Sequence, residues 1–199
     1  GMENISFAEN IESYPFKMKK VVIACDFAIS GAIAADYSVF SVVGIDFNDQ
    51  YHLINYWRKK GASHNEQVSQ IVQMDHAYRP NKIVCENNGF QRIIIDLVRQ
   101  RGLKNVEEFT TTAGLKKDDY SGLPSLSAIF ERGEMKIPGK EGDTRDKAMI
   151  VLTELNSITY NEDKNTLESS SGHDDTSMSL FFGVNTLREK KSAANVYFV

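Results

Sequence analysis

Two short apolar runs that each close on an acid constrain this chain more than any other feature. Residues 20–27 read KVVIACDF and residues 82–86 read KIVCE. Both are the continuous β-branched stretches expected of strands buried on two faces of a sheet. An unpartnered buried carboxylate costs several kcal/mol, so a strand ending this way needs a cation or a donor to receive its acid. Side chains alternate along a strand, which sends Cys25 and Cys85 to one face and Asp26 and Glu86 to the other. If the strands are parallel neighbours, the two carboxylates lie side by side at their carboxyl ends, where open α/β sheets bind ligands.

The surrounding pattern supplies the rest of such a sheet. Segments 38–47 and 51–59 read as strands joined by the turn Asn48-Asp49-Gln50, making an antiparallel meander with 20–27. Ser63 and Glu66 form a capping box ahead of a helix carrying Val68, Ile71, Val72 and Tyr78, which Pro80 stops. After the turn Asn87-Asn88-Gly89, a second helix presents Phe90, Ile93, Ile94, Leu97 and Val98 on one face and ends at Gly102. A short strand over 106–112 follows, then a helix through Leu123, Leu126, Ile129 and Phe130, and a strand at 135–137. A helix from Asp143-Thr144 carries Ala148, Val151, Leu152, Leu155 and Ile158, and 161–172 is polar and flexible in composition. The last helix opens at His173-Asp174-Asp175 and runs to Leu187. This order predicts an α/β domain with a mixed five-stranded central sheet, three antiparallel strands plus parallel ones, flanked by helices.

With 199 residues, 41% of them hydrophobic, the chain fits one domain. The expected division is a lead-in over 1–17, opening on Gly1-Met2 as a tag scar, the domain over 18–190 and a tail over 191–199. No run reaches the ~20 apolar residues of a membrane helix and no leader peptide is visible, so a soluble intracellular protein with no membrane contact is expected. The two cysteines lack CxxC spacing and read as buried strand residues, not as a zinc site or disulfide. A net charge of −4 argues against nucleic-acid binding by bulk charge alone. It leaves room for a metal site, whose cations reverse the local sign.

A third carboxylate comes from Asp174-Asp175, whose side chains point about 100° apart on a helix, so one of them completes the set. Asp175 is expected as the direct ligand and Asp174 as the cap accepting a backbone N–H, although Asp174 remains an alternative ligand. Asp26, Glu86 and Asp175 would then form the catalytic set. Hard oxygen donors without a histidine cluster suit Mg²⁺ or Mn²⁺, as two ions, better than Zn²⁺. Plainer readings exist: Asp26 as a turn acid, Glu86 as a surface residue, Asp174 as a simple cap. All three would have to coincide by chance. Around them, Asp36 reads as either a turn acid or a group near the metals, and His173 as an exposed loop residue or an orienting one. Lys116-Lys117 reads as a solvated pair or a phosphate contact, Arg58-Lys59-Lys60 as a solvated strand end, and Trp57 as core or sheet surface.

In their order these motifs resemble the nuclease domain of the large terminase subunit of tailed bacteriophages, over nearly the whole chain. Asp26 with Asp36-Tyr37-Ser38 is similar to that family's first motif, Glu86-Asn87-Asn88-Gly89 to its second and Gly172-His173-Asp174-Asp175 to its third. Met178-Ser179 departs from an Asp-Ala step seen in many relatives, so a fourth carboxylate on that helix is absent. No GxxxxGK[ST] phosphate loop occurs, so the family's ATPase domain is missing. The resemblance implies a ribonuclease H-like fold and a metal-dependent endonuclease cutting double-stranded DNA concatemers during viral genome packaging. It also implies the terminase ATPase domain, portal and small terminase subunit as partners, and the host cytoplasm, transiently at the procapsid portal, as location. The competing expectations are a Holliday-junction resolvase or transposase-like nuclease of the same fold, and a catalytically silent adaptor.

Overall fold

The computed structural model describes residues 7–28, 37–87, 91–112, 114–115, 118, 122–139, 142–161, 166–170 and 172–188. Strands β1 (Met18–Asp26), β2 (Tyr37–Asp46) and β3 (Tyr51–Lys60) are followed by α1 (His64–Tyr78), β4 (Lys82–Glu86), α2 (Arg92–Gln100) and β5 (Val106–Phe109). Then come α3 (Leu123–Glu131), β6 (Met135–Lys136), α4 (Asp143–Ser157), the strands β7 (Ile158–Asn161) and β8 (Thr166–Ser169), and α5 (Asp175–Leu187).

The main sheet has the order β5-β4-β1-β2-β3-β6. The meander β1-β2-β3 is antiparallel, whereas β4 pairs in parallel with β1 and β5 in parallel with β4. The expected five-stranded sheet gains a sixth member, because β6 pairs in parallel with the start of β3 through Tyr51↔Met135 and His52↔Lys136. The short strand read at 135–137 is thus present, and two residue pairs are too few for the sequence to show which strand it joins. The stretch expected to be flexible also forms structure: β8 pairs antiparallel with β7, and Ile158, expected in the helix, opens β7. The segment TLES holds a single apolar residue, so it carries no strand signal of its own.

Alternation along β1 divides the interior into two layers. Val21, Ile23, Cys25 and Phe27 join α1, α2 and the lead-in residues Ala8 and Tyr14 on one face. Val22 and Ala24 join α3, α4 and α5 on the other. Cys25 and Cys85 are free, buried and register partners, and burial with the neighbouring Cys85 sulfur pushes the Cys25 thiol well up. They are core residues, as the sequence implies.

The helices follow their local signals with one rotation. Both arms of the Ser63–Glu66 capping box form, and α1 ends at Arg79 in the left-handed region, φ 45°, ahead of Pro80. In α2 the buried residues are Ile94, Ile95 and Val98, and Ile93 is 60% exposed, contrary to the expected face. At 100° per residue the buried arc centres between Ile94 and Ile95, about 150° from Ile93. Helix α5 is buried from Thr176 through Val184, the hydroxyl residues Thr176, Ser177 and Ser179 included with the apolar Met178, Leu180, Phe181, Phe182 and Val184. It lies so close to the sheet that a Cβ on Gly183 would stand 2.6 Å from Val43 Cγ2.

At the end of the sheet where β2 turns into β3, the lead-in is tied down by a buried chain of three polar side chains. His52 Nε2 lies 2.9 Å from Asp46 Oδ2, and Tyr14 Oη lies 3.0 Å from His52 Nδ1. A carboxylate only accepts, so Nε2 carries the proton of the neutral ring and Nδ1 accepts from the Tyr14 hydroxyl. Burial lowers the His52 pKa from its ordinary 6.5 despite the raising effect of Asp46, with Lys136 adding to the fall. Burial pushes Asp46 up, but hydrogen bonds from His52, Gln50 N and Asn48 N outweigh it and leave the group below its ordinary 3.8. Both folded-state values are depressed, so the unfolded chain takes up protons first as pH falls and stability is lost on acidification. The His52 contribution is lost first, from near its unfolded value of 6.5 downward, and the Asp46 contribution near and below 3.8. Thermal melts from about pH 8 down to about pH 5 are expected to show a falling Tm, with a flatter slope in His52→Asn. Equal slopes in the two proteins would show that His52 is not the group responsible.

Candidate active site

The parallel register of β1 and β4 runs Val22↔Lys82, Ile23↔Ile83, Ala24↔Val84, Cys25↔Cys85. The next residues are Asp26 and Glu86. Ala24 and Val84 lie in the layer containing α5, whereas Cys25 and Cys85 lie in the opposite one. Alternation therefore aims both carboxylates at the α5 side. Glu86 is 6% exposed and Asp26 is half-buried at the strand end.

Helix α5 delivers the third acid to the same corner. Ser179 anchors it on the sheet: its hydroxyl donates to the Ala24 carbonyl at 2.8 Å, lies 2.9 Å from Ser41 Oγ and accepts the Ser41 N–H at 3.1 Å. This bonding accounts for Ser179, the second residue of the Met178-Ser179 step, where the relatives' pattern has alanine. One turn earlier, Asp175 Oδ2 accepts the Tyr37 N–H at 3.3 Å. Tyr37 stands two residues before Val39, the register partner of Asp26. Sheet register and helix docking thus bring Asp26, Glu86 and Asp175 to one end of one face.

The expected capping role of Asp174 is not observed. Asp174 occupies the N-cap position at φ −134°, ψ 7°, outside the extended conformation that lets a cap side chain reach forward, and makes no side-chain cap hydrogen bond. The cap comes from another helix. Glu154 of α4, 4% exposed, accepts Thr176 N at 2.8 Å and Ser177 N at 3.2 Å through Oε2, and the Thr176 hydroxyl at 3.1 Å through Oε1. The sequence held a clue, because Glu154 falls three residues after Val151 on the buried stripe of its helix. Charged residues are seldom fully buried unless paired.

The partner of Glu154 is Arg58, expected to be solvated at a strand end and found otherwise. Arg58 Nη2 lies 3.0 Å from Glu154 Oε1, and its guanidinium stacks 3.3 Å over the Tyr37 ring. Trp57 stacks on Phe40 at 4.9 Å between centroids, a sheet-surface role. His173 packs edge-on against Tyr37 at 5.3 Å, with Nδ1 3.9 Å from Asp175 Oδ2. Asp36, Lys116 and Lys117 lie outside the described residues.

The donor set suits a hard divalent cation: Asp26 and Glu86 end two parallel strands, Asp175 opens the helix over that face, and His173 is the imidazole nearest Asp175 among the described residues. As the side chains stand, no three His, Cys, Asp or Glu groups among the described residues are drawn together closely enough to hold an ion. The backbone placement fits a metal, and side-chain rotation would have to complete it.

The sequence profile of the terminase RNaseH-like domain matches residues 23–186. The chain belongs to this family. Solved structures show the same fold. The large terminase nuclease from thermophilic phage G20c with bound magnesium is 23% identical, covers 87% of this chain and 85% of its own, and superposes with a TM-score of 0.65. The large terminase nuclease domain of Thermus phage P74-26 is 21% identical over 87% of this chain and 82% of its own, with a TM-score of 0.64. The nuclease domain of the large terminase subunit gp2 of bacterial virus Sf6 is 10% identical over 85% of this chain and 89% of its own, at 0.58. No protein of curated function matches the sequence. The expected ribonuclease H-like architecture therefore stands for this terminase-family domain, with six strands in place of five. Among its described residues no helix is long and apolar enough to cross a membrane.

Proposed function

We propose that this terminase-family domain is a metal-dependent endonuclease that cuts double-stranded DNA concatemers during viral genome packaging. The observation that carries the reading is the parallel register of β1 and β4, whose last pair, Cys25↔Cys85, immediately precedes Asp26 and Glu86, and Asp175 Oδ2 accepting the Tyr37 N–H at the start of β2 supports it. In support, the related G20c nuclease was crystallised with bound magnesium and also with bound cobalt.

Asp26, Glu86 and Asp175 would hold two Mg²⁺ or Mn²⁺ ions, with Asp174 beside them as a further oxygen donor. When bound, the ions supply Lewis-acid polarisation of the phosphodiester and acidify water for its attack. The protein's own contribution is positional. The sheet fixes Asp26 and Glu86 through paired backbone, and the Tyr37 N–H holds the Asp175 carboxylate by its Oδ2. His173, against the Tyr37 ring, stands where it can orient a water or a phosphate oxygen at the rim. The ATPase domain, portal and small subunit of a terminase would bring the DNA, in the host cytoplasm at the procapsid.

The test is cleavage of supercoiled plasmid with Mn²⁺ or Mg²⁺. Nicking or linearisation that excess EDTA abolishes is the expected result, because the carboxylates alone furnish no activated water. Undiminished cleavage in chelator overturns the mechanism. Much faster cutting of a four-way junction than of linear duplex would replace packaging with junction resolution as the substrate class.

A further inference from the structure

We infer that Glu154, on α4, is a positioning residue for the metal site, acting through the first turn of α5 on Asp175. The inference rests on the functional reading above and adds to it a residue outside the carboxylate set. Its basis is a closed circuit of contacts. Glu154 receives four donors on two oxygens: Thr176 N at 2.8 Å and Ser177 N at 3.2 Å on Oε2, the Thr176 hydroxyl at 3.1 Å and Arg58 Nη2 at 3.0 Å on Oε1. The Arg58 guanidinium covers the Tyr37 ring at 3.3 Å, and the Tyr37 N–H returns to Asp175 Oδ2 at 3.3 Å. Asp175 therefore sits between two elements that Glu154 and Arg58 clamp together, the first turn of α5 and the start of β2.

The energetics favour a role beyond packing. Helix N-terminal N–H groups are usually satisfied by the N-cap side chain, and here Asp174 leaves them to a residue twenty positions earlier in the sequence. Glu154 is 4% exposed, and a buried carboxylate is tolerated only when its lone pairs are filled and its charge is met. All four acceptor positions are used, and Arg58 supplies the charge. The Asp174 side chain makes no cap hydrogen bond. The first turn is held from outside, which fixes its rotation relative to the sheet that carries Asp26 and Glu86. Groups that orient metal-binding side chains in this way typically change affinity 10–100-fold when lost.

The test uses the full chain and the variants Glu154→Gln and Asp175→Asn, alone and combined, with Mn²⁺ as the probe. Mn²⁺ affinity is read by titration calorimetry, stability by thermal melting, and local order by amide exchange at Tyr37. Glu154→Gln preserves shape but removes the charge and one pair of acceptor positions. It is expected to weaken Mn²⁺ binding about tenfold and to speed exchange of the Tyr37 N–H. Combined with Asp175→Asn it should add little further loss, because both act through the same carboxylate. A lowered Tm with unchanged Mn²⁺ affinity and unchanged Tyr37 protection would overturn the inference and leave Glu154 a structural cap only. Wild-type protein that binds Mn²⁺ without cutting DNA would overturn the nuclease reading, and the Tyr37 and Mn²⁺ coupling would still support the role of Glu154.

Discussion

Asp26→Asn and Glu86→Gln are each expected to reduce metal-dependent plasmid cleavage by about a thousandfold or more, while the circular dichroism spectrum stays that of the folded chain. A metal ion contributes several kcal/mol to a phosphodiester transition state, and about 4 kcal/mol corresponds to about three powers of ten in rate. The fold should survive because each substitution is nearly isosteric and stands at the last residue of a strand whose ladder runs through the preceding residues. Carboxylates that follow the Cys25↔Cys85 pair on neighbouring strands repel when no cation lies between them, so each variant should melt slightly higher than wild type in EDTA. The measurement is initial cleavage rate at saturating Mn²⁺, with Tm in chelator as the companion. Cleavage within tenfold of wild type by either variant would remove that residue from the site.

Gly183→Val should have the largest effect on stability. A Cβ at this position would stand 2.6 Å from Val43 Cγ2, 3.0 Å from Val43 Cβ and 3.4 Å from Ala24 Cβ. Val43 sits on a strand paired on both sides, so the sheet cannot yield and the helix must lift. Replacing glycine inside a helix gains less than about 1 kcal/mol of propensity, whereas overpacking a tight core costs about 1–3 kcal/mol and more for a branched side chain. A net loss of about 3 kcal/mol is expected, a fall of roughly 6–12 °C in Tm for a domain of this size. Because the same helix carries Asp175, Mn²⁺ affinity should fall with it. A Tm within about 2 °C of wild type would mean that α5 docks more loosely than the contact distances imply.

Much of the sheet was legible because its strands are long, apolar and bounded by turn residues. KVVIACD and KIVCE declare buried strands, and their shared apolar-Cys-acid ending implies by alternation that the two carboxylates share a face. The capping box of α1 and the span of α5 from His173-Asp174-Asp175 to Leu187 were equally plain. What escaped was short or non-local. Strand β8 offers a single apolar side chain, and the short strand read at 135–137 carried no sign that it would pair with β3. The cap of α5 escaped because a sequence reading looks for it at the adjacent residue, and Asp174-Asp175 supplied a ready candidate. Nothing local says that an acid on α4 fills that place. Arg58 was misread for a related reason: in RKK at a strand end the three residues look alike, and only tertiary packing separates the one beneath Glu154 from its solvated neighbours.

Asp26 and Glu86 belong to the sheet, and Asp175 belongs to a helix laid upon it. Proteins open locally in cooperative pieces, and a helix can detach at a lower free energy than a central pair of strands. If α5 lifts even briefly, the donor set is broken although β1 and β4 remain paired. A cation that engages all three carboxylates binds only the closed form, so by mass action it must also hold the helix down. Occupancy of the site and closure of the domain are two readings of a single equilibrium, and each can serve as an assay for the other.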